Sequence, residues 1–260
     1  MRRLSISLLA AAALSAAAAA PAGAITYGTF DGNRHPQVGG LIGTFDGQTY
    51  PFCTGTLIAA TVVLTAAHCD AGDDFDGVTF DPEPRPGDPV LRGRYIADSR
   101  YRAAQQDPHD LAVVILDKPV KGVAPARLPT RNRLDQMKAA GQLTGSYRFT
   151  AVGYGGQEPV QTPGSGPVVS YEDRREFSTP SFASLGPGYL RMSQNQATGD
   201  SGTCNGDSGG PNFFGAGATE TNVIAGTTIT GDPFCKSTNV AQRVDTDASR
   251  QFLGRFVKLP

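Results

Sequence analysis

The stretch Thr203-Cys204-Asn205-Gly206-Asp207-Ser208-Gly209-Gly210-Pro211 sets a serine among glycines, directly after an aspartate. The glycines permit a sharp turn and let the backbone come close to a bound ligand. A turn of this kind aims the amides of Gly206 and Ser208 at one point, where an oxyanion would form. A serine hydroxyl is a weak nucleophile on its own, so the pattern calls for a histidine base and a carboxylate to orient that base. Thr65-Ala66-Ala67-His68-Cys69 and Asp110-Leu111-Ala112-Val113-Val114-Ile115-Leu116 supply both, in the chain order His, Asp, Ser. Asp110 heads an apolar run that reads as a buried strand, and a carboxylate there needs a partner to offset desolvation. His68 is the natural one. Asp107, before a proline, reads as the exposed rival, and His35 and His109 lie in loop-like contexts that read as surface.

These motifs resemble the trypsin/chymotrypsin-like serine peptidases across nearly the whole chain after residue 24. Gly-Asp-Ser-Gly-Gly-Pro together with Thr-Ala-Ala-His-Cys is far more specific than a lone Gly-x-Ser-x-Gly. The resemblance implies an all-β fold of two six-stranded antiparallel Greek-key barrels with the active site between them and a short C-terminal helix. The lobes would cover about 25–135 and 136–246, the helix about 247–257, with a short helical turn near Leu134 to Ala140. His68 would act as general base and acid, Asp110 would orient it, and Ser208 would attack. Gly206 and Ser208 would form the oxyanion hole. The resemblance also pairs Cys53 with Cys69 and Cys204 with Cys235, where four cysteines alone allow three pairings. Two bridges common in vertebrate relatives have no cysteines here, which suits a bacterial-type member.

The family carries a branched apolar residue at the mature N-terminus, whose amine folds inward onto the aspartate before the nucleophile. Here these are Ile25 and Asp207, with Thr26-Tyr27 departing from the usual Val-Gly. In trypsin-like members an aspartate six residues before the nucleophile selects Arg or Lys; that position is Gly202. With Thr203, Thr230, Gly231 and Asn239 as the other pocket residues, the expected preference is an uncharged, apolar or small side chain. Ile229 falls where relatives have a serine supporting the catalytic aspartate, with Thr230 as the alternative match. Tyr154 replaces a commoner tryptophan and reads as a packing residue.

Residues 1–24 differ from the rest: Arg2 and Arg3, an alanine-rich apolar run, then Ala22-Gly23-Ala24. This reads as a secretory signal peptide, favoured over a membrane anchor by its alanine bias and small-residue end. Secretion also provides the oxidising compartment that disulfides require. The net charge is −1, and loss of the basic start leaves the remainder mildly acidic without a basic run. That argues against nucleic acid or an anionic membrane as partner. The expected partners are peptide or protein substrates and protein inhibitors, and the expected state is a monomer. No cofactor is expected. Asp70 to Pro89 gathers seven acidic residues among glycines and prolines, a candidate calcium site for which a solvated acidic loop is the preferred reading. Glu158 to Val168 reads as an exposed loop. Alternatives from other classes are a catalytically inactive binding module on this fold and a narrow-specificity esterase or processing enzyme.

Overall fold

The computed structural model describes residues 25–260 except Glu158, Pro163 and Ser165. The expected signal segment, 1–24, lies outside the described residues. The first strand, β1 (Thr29–Phe30), is followed by β2 (Val38–Phe45), β3 (Gln48–Ala59), β4 (Val62–Thr65), β5 (Phe75–Thr79), β6 (Gly93–Ala97) and β7 (Ala112–Leu116). Strands β2 to β7 form one antiparallel sheet in the order β5-β2-β3-β4-β7-β6. Its ends meet where Val78 and Leu91 exchange both backbone hydrogen bonds, at 2.9 and 2.8 Å, so the sheet curls shut. Asp46 and Gly47, both at positive φ, make the tight β2–β3 turn whose twist suits flanking strands.

After α1 (Arg133–Ala139) come β8 (Phe149–Gly153), the β9–β10 hairpin (Val160–Thr162 and Gly166–Val168), β11 (Glu176–Ser178), β12 (Ser181–Leu185) and β13 (Tyr189–Ser193). Then follow β14 (Pro211–Phe214), β15 (Ile224–Gly231), β16 (Thr238–Arg243) and α2 (Asp247–Leu253). The second sheet runs β1-β11-β8-β14-β15-β16-β13-β12. The expected pair of six-stranded barrels is therefore present as two curled antiparallel sheets, but the second has eight strands. Two features explain the count. Pro180 interrupts one long strand into β11 and β12. The chain start, expected in the first lobe, instead adds β1 to the second sheet through Thr29↔Phe177 and Phe30↔Glu176.

A shared core of Val38, Leu64, Leu111, Val113, Val152, Phe213, Ile224, Phe252 and Leu253 lies between the lobes. Helix α2 delivers the last two; Thr246 caps it by accepting from Ser249 N, and the helix stops at Leu253 rather than near 257.

A buried ionic strut also joins the lobes, and it corrects the expectation that His35 is a surface residue. His35 is 2 % exposed. Its Nδ1 meets Asp31, its Nε2 meets Glu220 Oε1 at 2.6 Å, and its ring stacks on Phe213. The fully buried Arg175 donates from Nε to Asp31 at 2.8 Å and from its terminal nitrogens to the carbonyls of Val38, Phe80 and Gly32. Burial works against the charge on His35, yet Asp31 and Glu220 carry its pKa above the ordinary value. Burial likewise pushes Asp31 up, but His35 and Arg175 hold it below the ordinary carboxylate range. Tyr154, placed by sequence as a packing residue, is buried and also donates to Asp81 O at 2.7 Å while accepting from Arg175.

Candidate active site

Antiparallel pairing of β4 with β7 sets Thr65 opposite Ala112. The residue just past one strand and the one just before the other therefore emerge at the same rim. His68 sits there in a short 3-10 turn, anchored by the Cys53–Cys69 bridge. Its Nδ1 lies 2.8 Å from Asp110 Oδ2, and its own backbone N–H donates to Asp110 Oδ1 at 3.0 Å. Both carboxylate oxygens are thus committed to one residue. This fixes the proton on Nδ1 and leaves Nε2 as the acceptor.

Ser208 comes from the other lobe, on the loop between the Cys204–Cys235 bridge and β14. Thr54 of β3 holds that loop across the interface: its N–H donates to Ser208 O at 2.8 Å and its hydroxyl donates to Gly206 O at 3.0 Å. Gly209, at φ +84°, donates to Thr228 O, and a Cβ there would fall 2.1 Å from Thr54 O. The amides of Gly206 and Ser208 donate to no other protein group among the described residues. His68 and Ser208 line one cleft of ≈ 380 Å³ with Thr203, Ile229, Thr230 and Gly231. No hydrogen bond joins His68 to Ser208 among the described residues; such contacts commonly tighten only around substrate.

The expected Ile25–Asp207 pairing belongs to a free amine, and with residue 24 joined to it Ile25 meets Glu176 instead. Ile25 N is here a peptide amide, and it donates to Glu176 Oε2 at 3.0 Å in a fully buried site. Asp207 accepts from Gly155 N and Cys204 N, each at 2.8 Å. Burial, with the nearby Glu176 charge opposing the backbone bonds, pushes its pKa up to about 8. No cation pairs with Asp207 among the described residues. Gly153, opposite Glu176 in the sheet, leaves the space that Asp207 occupies, since a Cβ there would lie 2.1 Å from Asp207 Oδ1.

Gly202 forms a β-bridge with Thr26, and the space a larger residue would need is filled by Gln194, whose Oε1 lies 2.0 Å from the hypothetical Cβ. Gln194 accepts from Thr203 N at 2.9 Å. Thr203, Thr230 and Gly231 line the cleft, as their sequence positions suggested. Asn239 does not: it turns into the barrel and donates to Asn212 Oδ1 at 3.0 Å. Ile229 lines the cleft and brings no hydroxyl to Asp110. Support comes instead from Gln242, which accepts from Asp110 N at 3.3 Å and donates to Asp107 at 2.8 Å. Thr54, Glu176, Gln194 and Gln242 were all missed by sequence reasoning.

Several carboxylates of the acidic segment 70–89 are engaged by nearby donors. Asp70, Asp81 and Asp88 accept from backbone amides of their own loop, and Asp76 accepts from Thr44. Among the described residues the one group with three metal-ligating atoms together is Cys53, His68 and Cys69, whose thiols are already joined.

Two curled antiparallel sheets, with a histidine–carboxylate pair on one lobe facing a glycine-flanked serine on the other, define the two-barrel serine hydrolase class. The trypsin family model matches residues 30–249, and the chain belongs to that family. Over 85 residues it is 39 % identical to snake venom serine proteinase 14 of Crotalus adamanteus, a match covering 30 % of this chain and 32 % of that protein. The match thus spans about a third of the length of this curated relative.

Proposed function

We propose that the chain is a secreted serine endopeptidase. The observation that carries this is one histidine engaging both oxygens of Asp110, in one cleft with Ser208 beside two uncommitted amides. His68 Nε2 takes the Ser208 proton as Oγ attacks the substrate carbonyl, and returns it to the leaving amine. Asp110 holds the Nδ1–H tautomer and favours the imidazolium. The Gly206 and Ser208 amides receive the oxyanion, each donor worth roughly 3 kcal/mol in comparable sites. Gly202 brings no negative charge, and Gln194 fills the space below it, which supports cleavage after small or apolar residues rather than Arg or Lys. Secretion is supported by the two disulfides and by the relative's origin in venom. Among the described residues no helix is long and apolar enough to cross a membrane.

Cleavage after Ala24 would free the Ile25 amine beside Glu176 and Asp207. An ammonium there would relieve the unpaired Asp207, as the family resemblance implies. Fluorophosphonate labelling of the secreted, N-terminally sequenced protein tests the proposal. Stoichiometric labelling of a chain starting at Ile25, lost in Ser208→Ala, is the expected result. A chain of that start that resists labelling would instead be a binding module.

A further inference from the structure

A second cavity, of ≈ 810 Å³, lies on the other side of the nucleophile loop and is lined by Tyr50, Phe52, Pro86, Tyr171, Asp173 and Gly206, among others. Asn205 lines both this cavity and the cleft holding His68 and Ser208. The two spaces thus meet at Asn205-Gly206, flanking the nucleophile. A peptide with its scissile carbonyl over Ser208 and its acyl half in the smaller cleft has the larger cavity open to its leaving-group half.

The lining of this larger cavity is aromatic and neutral with one exception. Tyr50 and Tyr171 are exposed large side chains there, 38 % and 51 % accessible. Asp173 is its one charged liner among the described residues, and it makes no hydrogen bond or ion pair within them. Partial burial raises its pKa. Asp173 and Tyr50 also line an adjoining ≈ 250 Å³ cavity, shared with Arg85, Arg92, Asp76 and Asp88, and neither arginine pairs with Asp173 among the described residues. The backbone around Asp173 is pinned, because Arg175 N donates to Pro82 O at 2.7 Å and the Arg175 side chain is locked in the strut. A half-buried carboxylate rimmed by aromatic faces fits a cation on an apolar stem: the carboxylate supplies charge and the rings a cation–π face.

We propose that Asp173, with Tyr50 and Tyr171, makes the enzyme select Arg or Lys at the first or second residue after the scissile bond. The inference rests on the serine peptidase reading. It puts a basic preference on the leaving-group side, separate from the acyl-side cleft.

Acyl transfer isolates this side. The enzyme is acylated with an N-acyl alanine ester, and the acyl-enzyme partitions between water and an added amine. The amine nitrogen forms a bond to the acyl carbon, the carbon–Oγ bond breaks, and the amine proton returns through His68 to Ser208. Arg-amide, Lys-amide, Leu-amide and Gln-amide probe the first position; Gly-Arg-amide and Gly-Leu-amide probe the second. The readout is the ratio of transfer to hydrolysis, which is internal to each protein and independent of its folded fraction. We expect basic acceptors to be favoured about tenfold at one position, and Asp173→Asn to bring that to below about threefold. The position of Asp173 at φ +47° is one asparagine tolerates. Neutral acceptors matching basic ones, or a basic preference that survives Asp173→Asn, would overturn the proposal. Absence of any acyl-enzyme burst would overturn the peptidase reading and this inference with it, whereas a burst without basic preference overturns this inference alone.

Discussion

Arg175 offers a sharp test of how the two lobes are held together. Its guanidinium is fully buried and donates to Asp31, to three carbonyls on separate segments and to the Tyr154 hydroxyl. Arg175→Met keeps much of the stem but leaves the Asp31 charge half-compensated and strips the donors from Val38, Phe80 and Gly32. Breaking a buried pair by removing one partner costs about 3–5 kcal/mol, mostly as the penalty on the charge left behind. Asp31→Asn in the same background removes that stranded charge, so the double variant should lose less than the two single variants summed, by about 1–3 kcal/mol. The assay is urea unfolding of the oxidised protein in a Ser208→Ala background, which prevents self-digestion. Far-ultraviolet dichroism and tyrosine fluorescence serve as paired probes, the chain having no tryptophan. A loss below about 1 kcal/mol for Arg175→Met, or strict additivity in the cycle, would refute the strut as an energetic link.

Three further outcomes follow from the geometry. His35 has a raised folded pKa, so its contribution is full below about 6.5 and lost as pH climbs through the folded value. Asp31 and Glu220 are lowered, so theirs is lost on acidification. His35→Gln should flatten the alkaline side of a melting-temperature profile relative to the parent, and an unchanged profile would contradict the assignment. Gly209→Ala forces a Cβ onto Thr54 O at a positive φ, and should cost ~2–3 kcal/mol while abolishing fluorophosphonate labelling; normal labelling would contradict the packing. Thr54→Val preserves shape but removes the hydroxyl that donates to Gly206 O and accepts from Tyr154 N. Turnover should drop about tenfold with KM nearly unchanged, since ~1–3 kcal/mol of loop positioning is lost; unchanged kcat would assign that hydroxyl no role.

The fold class was legible because its signals are local. Short apolar runs broken by glycine and proline mark strands, and each site motif is a contiguous string. What stayed hidden depends on partners far away in the chain. His35 does lie in a loop, but no local pattern reveals that Glu220, 185 positions on, closes over it. Arg175 and Glu176 read as ordinary charged residues at the start of a short strand until Asp31 and Ile25 reach them. Gln242 looks like any polar residue in an alternating strand, although its side chain fixes Asp110. Asn239 sat at the right sequence position for the pocket, yet Asn212 offers it a partner inside the barrel, and the side chain turns inward. The eighth strand required knowing that residues 29–30 return to β11.

That return puts a strand of the second lobe ahead of the whole first lobe in the order of synthesis. Ile25 and Glu176 are separated by 151 positions, and the whole first lobe is threaded between them. During vectorial synthesis or export, residues 25–31 emerge with neither their sheet partner nor their buried carboxylate in existence, and must wait until β11 arrives. Closing so long a loop delays the reward for its entropy and favours slow folding. The first lobe can close on itself meanwhile through Val78 and Leu91, but the second cannot be completed from its own stretch of chain. Severing the connection near residues 120–147 would therefore yield one half whose sheet is complete and one missing its edge strand, which a peptide spanning 25–35 could restore.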